Sequence, residues 1–152
     1  MIESTQLWNH EEVKLRQYQE EIFQRATQED LLVILATSLG KTYIGAKLIS
    51  HILVNSITSK AILLAPTRPL IEQHLQSLQK SINIPKENFY IITGKIPADK
   101  RAQLYKNLDS KRYGILLMTP QTLKNDLLDE NFKLIDVGVI IFDEAHRARG
   151  QY

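Results

Sequence analysis

The sequence contains no cysteine, which excludes a disulfide framework, a thiolate-ligated zinc site and a cysteine nucleophile. It also contains no apolar run of about 18 residues, the length that a membrane-spanning helix needs. Its first residues are polar and acidic and lack the apolar core of a signal peptide. We therefore expect a soluble protein with no membrane partner, located in the cytoplasm and associated with the nucleoid if the cell is prokaryotic.

A large excess of charge is also missing. The 19 basic and 17 acidic residues leave a net charge of +2, which neither indicates nor excludes a nucleic-acid partner. Hydrophobic residues make up 43% and charged residues 24% of the chain, as in ordinary globular proteins. The length of 152 residues suits a single domain.

Five apolar runs alternate with helical patterns along the chain. The runs are almost continuously hydrophobic, which is typical of parallel strands buried on both faces, and they cover residues 31–36, 61–65, 89–93, 114–119 and 137–142. The helical patterns cover residues 20–28, 42–54, 70–80, 97–108 and 120–128, and Thr119 suits the N-cap of the last. This alternation predicts an α/β fold with a mostly parallel central sheet flanked by helices. We assign residues 1–13 to an N-terminal arm, loosely held over residues 1–12, and residues 14–152 to the domain.

A Gly-Lys-Thr sequence follows the first apolar run and precedes a predicted helix. Gly40 permits close approach of the backbone, Lys41 would reach the β- and γ-phosphates of a nucleotide, and Thr42 would offer its hydroxyl to Mg²⁺. The loop residues whose backbone N–H groups would cradle the phosphates are Thr37, Ser38 and Leu39. The general phosphate-loop pattern has glycine where this sequence has Leu35, so a turn with a chance Gly-Lys-Thr remains an alternative.

An acidic pair follows the fifth apolar run. Asp143 would hold Mg²⁺, and Glu144 would orient and deprotonate the attacking water. The alternative is an exposed acidic helix start, because acids favour helix N-termini. The spacing of the four histidines fits no zinc pattern, so we assign no zinc site to His10, His51, His74 and His146.

Taken together, these motifs resemble the first motor domain of a DEAH-box helicase of superfamily 2. Segment 65–70 with Gln73-His74 resembles motif Ia, Thr93-Gly94 resembles motif Ib, and segment 119–122 resembles the next nucleic-acid motif. Within the superfamily, segments 125–127 and 147–148 are most similar to the archaeal Hef and eukaryotic FANCM branch. Ser38 departs from the family pattern, which usually has glycine there, whereas Leu35 is normal in this family.

The resemblance implies a RecA-like domain that binds ATP and Mg²⁺. It places Lys41, Asp143, Glu144 and His146 in the catalytic set, with His146 reading the nucleotide state or a neighbouring domain. It also implies that Gln19 hydrogen-bonds the adenine edge while Arg16, with Lys14, packs on its face; a basic, solvated helix start is the alternative for these residues. The residues that it assigns to nucleic acid are Thr67, Arg68, Thr93, Gly94, Thr119 and Gln121.

The implied function is that of an ATP-dependent DNA helicase or translocase acting on forked or branched DNA. Its partners would be branched or single-stranded DNA and a second motor domain that completes the ATP cleft. We expect this chain to be the N-terminal motor domain only, and nearly inactive alone. An RNA-acting helicase and a nucleotide-switched binding module without unwinding activity remain alternatives. We interpret the basic excess of residues 95–112, six basic against two acidic residues, as a solvated helix face.

Overall fold

The computed structural model describes residues 7–36, 39–55, 60–134 and 137–145. The five α-helices among these residues are α1 (Gln17–Ala26), α2 (Lys41–Asn55), α3 (Arg68–Ser81), α4 (Ala98–Asp109) and α5 (Pro120–Leu128). The four strands are β1 (Lys60–Leu64), β2 (Phe89–Ile92), β3 (Gly114–Met118) and β4 (Val139–Phe142). Every predicted helix is present with its ends within three residues of the prediction. No helix among the described residues is long and apolar enough to cross a membrane.

All strand pairs in the sheet are parallel, and the strand order is β2-β3-β1-β4. The register places Leu64 of β1 beside Met118 of β3 and beside Phe142 of β4. This confirms the predicted α/β class with a parallel central sheet. Because the strands run in one direction, the loops that follow them emerge at one edge.

Alternate residues of the two central strands face two separate cores. Residues 61 and 63 of β1 and residues 115 and 117 of β3 pack with α2 and α3. Residues 62 and 64 of β1 and residues 116 and 118 of β3 pack with α4 and α5. Both faces of the central strands are therefore buried, which explains why their sequences are continuously hydrophobic.

The prediction of a strand over residues 31–36 is wrong. Among the described residues, no main-chain hydrogen bond joins residues 31–35 to a neighbouring strand, and Leu32 and Ile34 are 75% and 85% exposed. Exposure alternates along the segment, so only one of its faces is covered. Within the described part of the chain, hydrophobicity predicted full burial correctly only for β1 and β3, because these strands have a neighbouring strand on both sides.

The expectation of a loosely held arm is wrong for residues 7–12. Leu7 and Trp8 are buried in the core shared with α2 and α3. Main-chain hydrogen bonds join Leu7 O to Asn83 N (2.7 Å) and Asn9 N to Ser81 O (2.8 Å). The apolar pair Leu7-Trp8 therefore fastens this segment beside the end of α3.

Candidate functional site

Several of the residues predicted to bind nucleotide or nucleic acid follow strands of the sheet, at the edge where the strands end. Thr93 follows β2, Thr119 follows β3, Thr67 lies beyond the end of β1, and Asp143 follows β4. The strand order places Asp143 at one side of this edge and Thr93 at the other. The parallel sheet thus collects motifs that are far apart in sequence.

The loop before α2 is held closed by side chains from α1. Gly40 has φ = +75°, a left-handed conformation that favours glycine. The Gln19 amide donates to the main-chain oxygens of Leu39 (3.3 Å) and Gly40 (3.1 Å), and the Tyr18 hydroxyl donates to Leu39 O (2.7 Å). A Cβ at Gly40 would overlap the Gln19 amide, so this close packing requires glycine.

Lys41 lies at the first position of α2 and is exposed. Its ammonium group donates to the main-chain oxygen of Leu35 at 3.1 Å. The contact folds the lysine back over the loop, at the helix N-terminus where an anion would be bound. The next residue, Thr42, is half-buried.

A cleft of about 300 Å³ opens beside Gly40 between α1 and the loop. It is lined by the residues predicted to bind adenine, Lys14, Arg16 and Gln19, with Tyr18 and Tyr43. The side-chain oxygen of Gln19 accepts from the Arg16 N–H at 2.8 Å. The geometry thus gathers one amide, two cationic side chains and two aromatic rings around this cleft.

The acidic pair after β4 is fixed by a histidine whose role the sequence did not reveal. Asp143 continues the ladder, since its N–H donates to Leu64 O at 2.8 Å. His74 of α3, which is buried, contacts Asp143 Oδ2 through Nε2 at 2.7 Å. That hydrogen bond holds the pKa of Asp143 below its ordinary value, with burial opposing it and Lys41 adding a smaller electrostatic contribution.

Glu144 turns away from the strand direction immediately after Asp143. It has φ = +55°, unusual for a residue with a side chain, and its N–H donates to Asp143 Oδ1 at 3.0 Å. Each Asp143 oxygen therefore has a protein partner. Helix α2 packs against β4. A Cβ at Gly45 of α2 would be 3.4 Å from Ile141 Cγ2 of β4.

The residues predicted to bind nucleic acid are mostly exposed to solvent. Thr67, Arg68, Gly94 and Gln121 are exposed, while Thr93 and Thr119 are half-buried. Arg68 Nε pairs with Glu72 at 3.0 Å. Thr119 caps α5 by accepting from the N–H of Thr122 at 3.3 Å, which confirms its predicted N-cap position.

One basic residue of segment 95–112 departs from our interpretation of a solvated face. Arg101 is buried and paired with Asp126, which is 0% exposed. The hydrogen bond to Asp126 raises the pKa of Arg101. Burial, with the hydrogen bond to Asp126, raises the pKa of Tyr105 above its ordinary range. The helical spacing of Arg101, Tyr105 and Leu108 on one buried face is the sequence signal that could have separated Arg101 from its exposed neighbours.

Three predicted site residues lie outside the described residues: Thr37, Ser38 and His146. The rest of the predicted set is consistent with a nucleotide and Mg²⁺. The cradle at Gly40 leaves no room for a Cβ, and Mg²⁺ prefers a site with one or two carboxylates completed by phosphates and water. Asp143 with the Thr42 hydroxyl fits that preference, and the described residues contain no closed cage of His, Cys, Asp and Glu.

Comparison with known proteins shows the family to which the chain belongs. Residues 16–152 match the DEAD/DEAH box helicase family, so the chain belongs to that family. The DEAD-box ATP-dependent DNA helicase Fancm of Drosophila melanogaster is 38% identical over 142 residues, covering 91% of this chain and 9% of that protein. A Methanocaldococcus jannaschii protein, named as an ATP-dependent RNA helicase, is 36% identical over 140 residues, covering 92% of this chain and 17% of that protein.

A solved structure extends the comparison to the fold. The Hef helicase domain of Pyrococcus furiosus superposes with a TM-score of 0.86 at 35% identity, over 96% of this chain and 29% of that one. The RecA-like fold and the likeness to Hef- and FANCM-type helicases are thereby confirmed. The chain spans less than a third of each of these three proteins.

Proposed function

We propose that this chain is the ATP-binding motor domain of an ATP-dependent DNA helicase or translocase that acts on forked or branched DNA. The observation that carries the proposal is the convergence of two half-sites. The Gly40-Lys41-Thr42 turn leads into α2, and Asp143-Glu144 follows β4, against which α2 packs. The charge of Lys41 makes a small contribution to the lowered pKa of Asp143.

Each residue of this site has a distinct task in the proposed reaction. Lys41 exchanges its contact with Leu35 O for the terminal phosphates and neutralises part of their charge. Thr42 and Asp143 are the residues that would hold Mg²⁺, which when bound supplies positive charge against the phosphate oxygens. Glu144 orients the attacking water and accepts its proton.

The cleft beside Gly40 is proposed to receive the adenine base. Gln19 has both donor and acceptor groups at the cleft, although they are engaged with the loop and with Arg16. Base binding would redirect this amide, so occupation of the cleft and the position of the Gly40 loop would depend on each other. Arg16 and Lys14 are exposed at its rim, where a planar guanidinium can stack on a base.

The nucleic-acid face is proposed to run from Thr67 and Arg68 to Thr93 and Gly94 along the carboxyl ends of the strands. Hydroxyls, amides and one guanidinium grip phosphates without reading bases. DNA as the substrate is supported by the name of the Drosophila relative. A second motor domain would supply the other wall of the ATP cleft and an arginine finger, worth roughly 10³–10⁵ in rate.

An RNA substrate is the second candidate, because the archaeal relative is named as an RNA helicase. ATP hydrolysis by the full-length protein, stimulated in turn by forked DNA, single-stranded DNA and RNA, separates the two. Stronger stimulation by forked DNA is the expected result. Stimulation by RNA alone would replace the DNA assignment.

The chemical assignment is tested by Glu144→Gln in the full-length protein. The amide keeps the side-chain shape but accepts no proton, so we expect turnover to fall by about 10²–10⁴ while calorimetry shows ATP binding retained. Lys41→Ala should weaken ATP binding itself. Glu130→Gln is a matched control, because Glu130 also has φ = +55° but lies exposed after α5. Retained turnover in Glu144→Gln would remove Glu144 from the role of base.

A further inference from the structure

A buried polar cluster joins α4 to α5, the two helices that pack against one face of the sheet. The Arg101 guanidinium donates to both carboxylate oxygens of Asp126, with Nε–O distances of 3.0 and 2.9 Å and an Nη2–Oδ1 distance of 2.6 Å. The Tyr105 hydroxyl donates to Asp126 Oδ2 at 2.5 Å. Asp126 is 0% exposed, so its charge is balanced entirely within the protein.

The remaining donor of this cluster reaches a loop. Arg101 Nη1 donates to the main-chain oxygen of Ile96 at 2.6 Å. Ile96 N in turn donates to Thr93 O at 3.0 Å, which closes the turn that carries Thr93 and Gly94. Arg101 is therefore bonded at once to the motif Ib turn and to the helix that follows the next nucleic-acid motif.

These two motifs also lie side by side. Ile92 and Met118 are partners in the β2–β3 register, so the loops that follow them emerge side by side. A Cβ at Gly94 would lie 3.9 Å from the Thr122 hydroxyl, and that hydroxyl is 2.9 Å from the hydroxyl of Thr119. A small rotation of α5 relative to α4 would change the spacing between Gly94 and Thr119.

We propose that Arg101, Asp126 and Tyr105 are positioning residues for nucleic-acid binding, which set the spacing between the Thr93–Gly94 turn and the Thr119 start of α5. The inference rests on the proposed function, since it assumes that both motifs grip the phosphates of one strand. Successive phosphates are recognised only when the groups that bind them are held at a fixed spacing. An apolar contact between α4 and α5 would hold the helices together, but it would not hold the main-chain oxygen of Ile96.

The cluster is separate from the proposed nucleotide site. Helix α2, which follows Gly40, packs in the core on one face of the sheet, whereas α4 and α5 pack in the core on the other face. A change confined to the cluster should alter nucleic-acid binding and leave ATP binding unchanged. A residue with a merely structural role would alter both affinities together or neither.

Arg101→Lys in the full-length protein is the main test. Lysine keeps the positive charge but lacks the planar guanidinium that bonds Asp126 and Ile96 O at the same time. Tyr105→Phe is the milder variant, which keeps the ring and removes one hydrogen bond, and it remains informative if Arg101→Lys does not fold. Tyr90→Phe is the matched control, because Tyr90 borders the same core. Hydrogen exchange should increase in residues 93–96 and 119–122 of the two cluster variants only.

Fluorescence anisotropy with a single-stranded oligonucleotide and calorimetry with ATP give the deciding pair of affinities. We expect Arg101→Lys to weaken oligonucleotide binding by roughly twofold to thirtyfold, with Tyr105→Phe nearer the lower limit, and ATP affinity to be unchanged. Unchanged oligonucleotide affinity despite faster exchange, or equal loss of both affinities, would overturn the inference alone. Failure of the unsubstituted protein to bind any oligonucleotide would overturn the proposed function and the inference with it.

Discussion

The two sides of the sheet are held together in different ways. On the β2–β3 side, a fully buried carboxylate, Asp126, receives donors from two residues of α4. On the β4 side, the loop before α2 is held by the Gln19 amide at the rim of an open cleft. Its flanking segment exposes Ile34 by 85%.

This difference matches the tasks that we propose for the two sides. A bound nucleotide can replace the contacts of Gln19 and Lys41, because those contacts lie at the cleft and use main-chain oxygens as temporary partners. Asp126 is 0% exposed, so we expect that cluster to keep one geometry whether or not nucleotide is present. We infer that the nucleotide side adjusts while the β2–β3 side keeps a fixed spacing.

The largest expected effect comes from Asp126→Asn, which breaks the buried cluster on the β2–β3 side. The amide has nearly the same size but leaves the Arg101 charge buried without a carboxylate. Removing one partner of a buried ion pair costs about 3–5 kcal/mol, and we expect a loss of that size in the free energy of unfolding. Urea unfolding followed by circular dichroism measures it.

A surface ion pair supplies the control for that experiment. Arg25 and Glu29 pair at 2.9 Å with side chains 71% and 55% exposed, so Glu29→Gln should change stability by less than about 1 kcal/mol. If Asp126→Asn were as mild as Glu29→Gln, the buried cluster would not be the feature that distinguishes the two sides.

The sequence predicted the central strands and all five helices because their hydrophobic patterns correspond to local burial. It failed at residues 31–36, where the pattern is equally apolar but Leu32 is 75% exposed. A run of apolar residues indicates that the segment tends to be buried. The run itself does not show whether a neighbouring strand is present to bury it. Strand existence therefore depends on partners far away in sequence.

The candidate site was predictable where a motif combines several residues in a fixed order. Gly40-Lys41-Thr42 and Asp143-Glu144 could be assigned because each follows an apolar run. The contact of His74 with Asp143 and that of Arg101 with Asp126 join residues 69 and 25 positions apart. No local pattern specifies such pairs, although a charged residue on a buried helix face indicates that some partner exists.

The second largest effect is expected from Gly40→Ala, in the loop before α2. A residue with a Cβ costs roughly 1–2 kcal/mol in the left-handed conformation, and here the Cβ would also overlap the Gln19 amide. Thermal unfolding should show the loss, and it should be smaller in a Gln19→Ala background, where the overlap is relieved. Gly94→Ala is the control, because its Cβ would meet nothing closer than 3.9 Å. Equal losses in both backgrounds would show that Gln19 does not constrain the loop.

A smaller effect is expected from His74→Gln, which tests how Asp143 is held. Because the folded-state pKa of Asp143 is lowered, chiefly by the His74 hydrogen bond, its contribution to stability is present above the ordinary carboxyl pKa. That contribution is lost as pH falls through the lowered value. Removing the histidine should raise the pKa of Asp143 towards the ordinary range, so the carboxylate contributes less stability at neutral pH and less stability is lost on acidification. Carboxyl carbon NMR titration of metal-free protein would show it, with His51→Gln as the control; an unmoved Asp143 pKa would contradict the assignment.

The smallest effect on stability is expected from Arg68→Ala, which tests the proposed nucleic-acid face. Its pair with Glu72 is exposed, with side chains 57% and 53% accessible, so the free energy of unfolding should change by about 0.5 kcal/mol or less.

Arg68 is the one charged residue among the six predicted nucleic-acid contacts, so few counterions are released on binding. The salt dependence of oligonucleotide binding should therefore be shallow, and Arg68→Ala should reduce its slope by roughly 1. Anisotropy with oligonucleotides of several sequences at two salt concentrations measures both quantities. We expect weak binding by the 152-residue chain without sequence preference, because these contacts carry no base code. Tight, sequence-selective binding with an unchanged slope in Arg68→Ala would place the nucleic-acid face elsewhere on the domain.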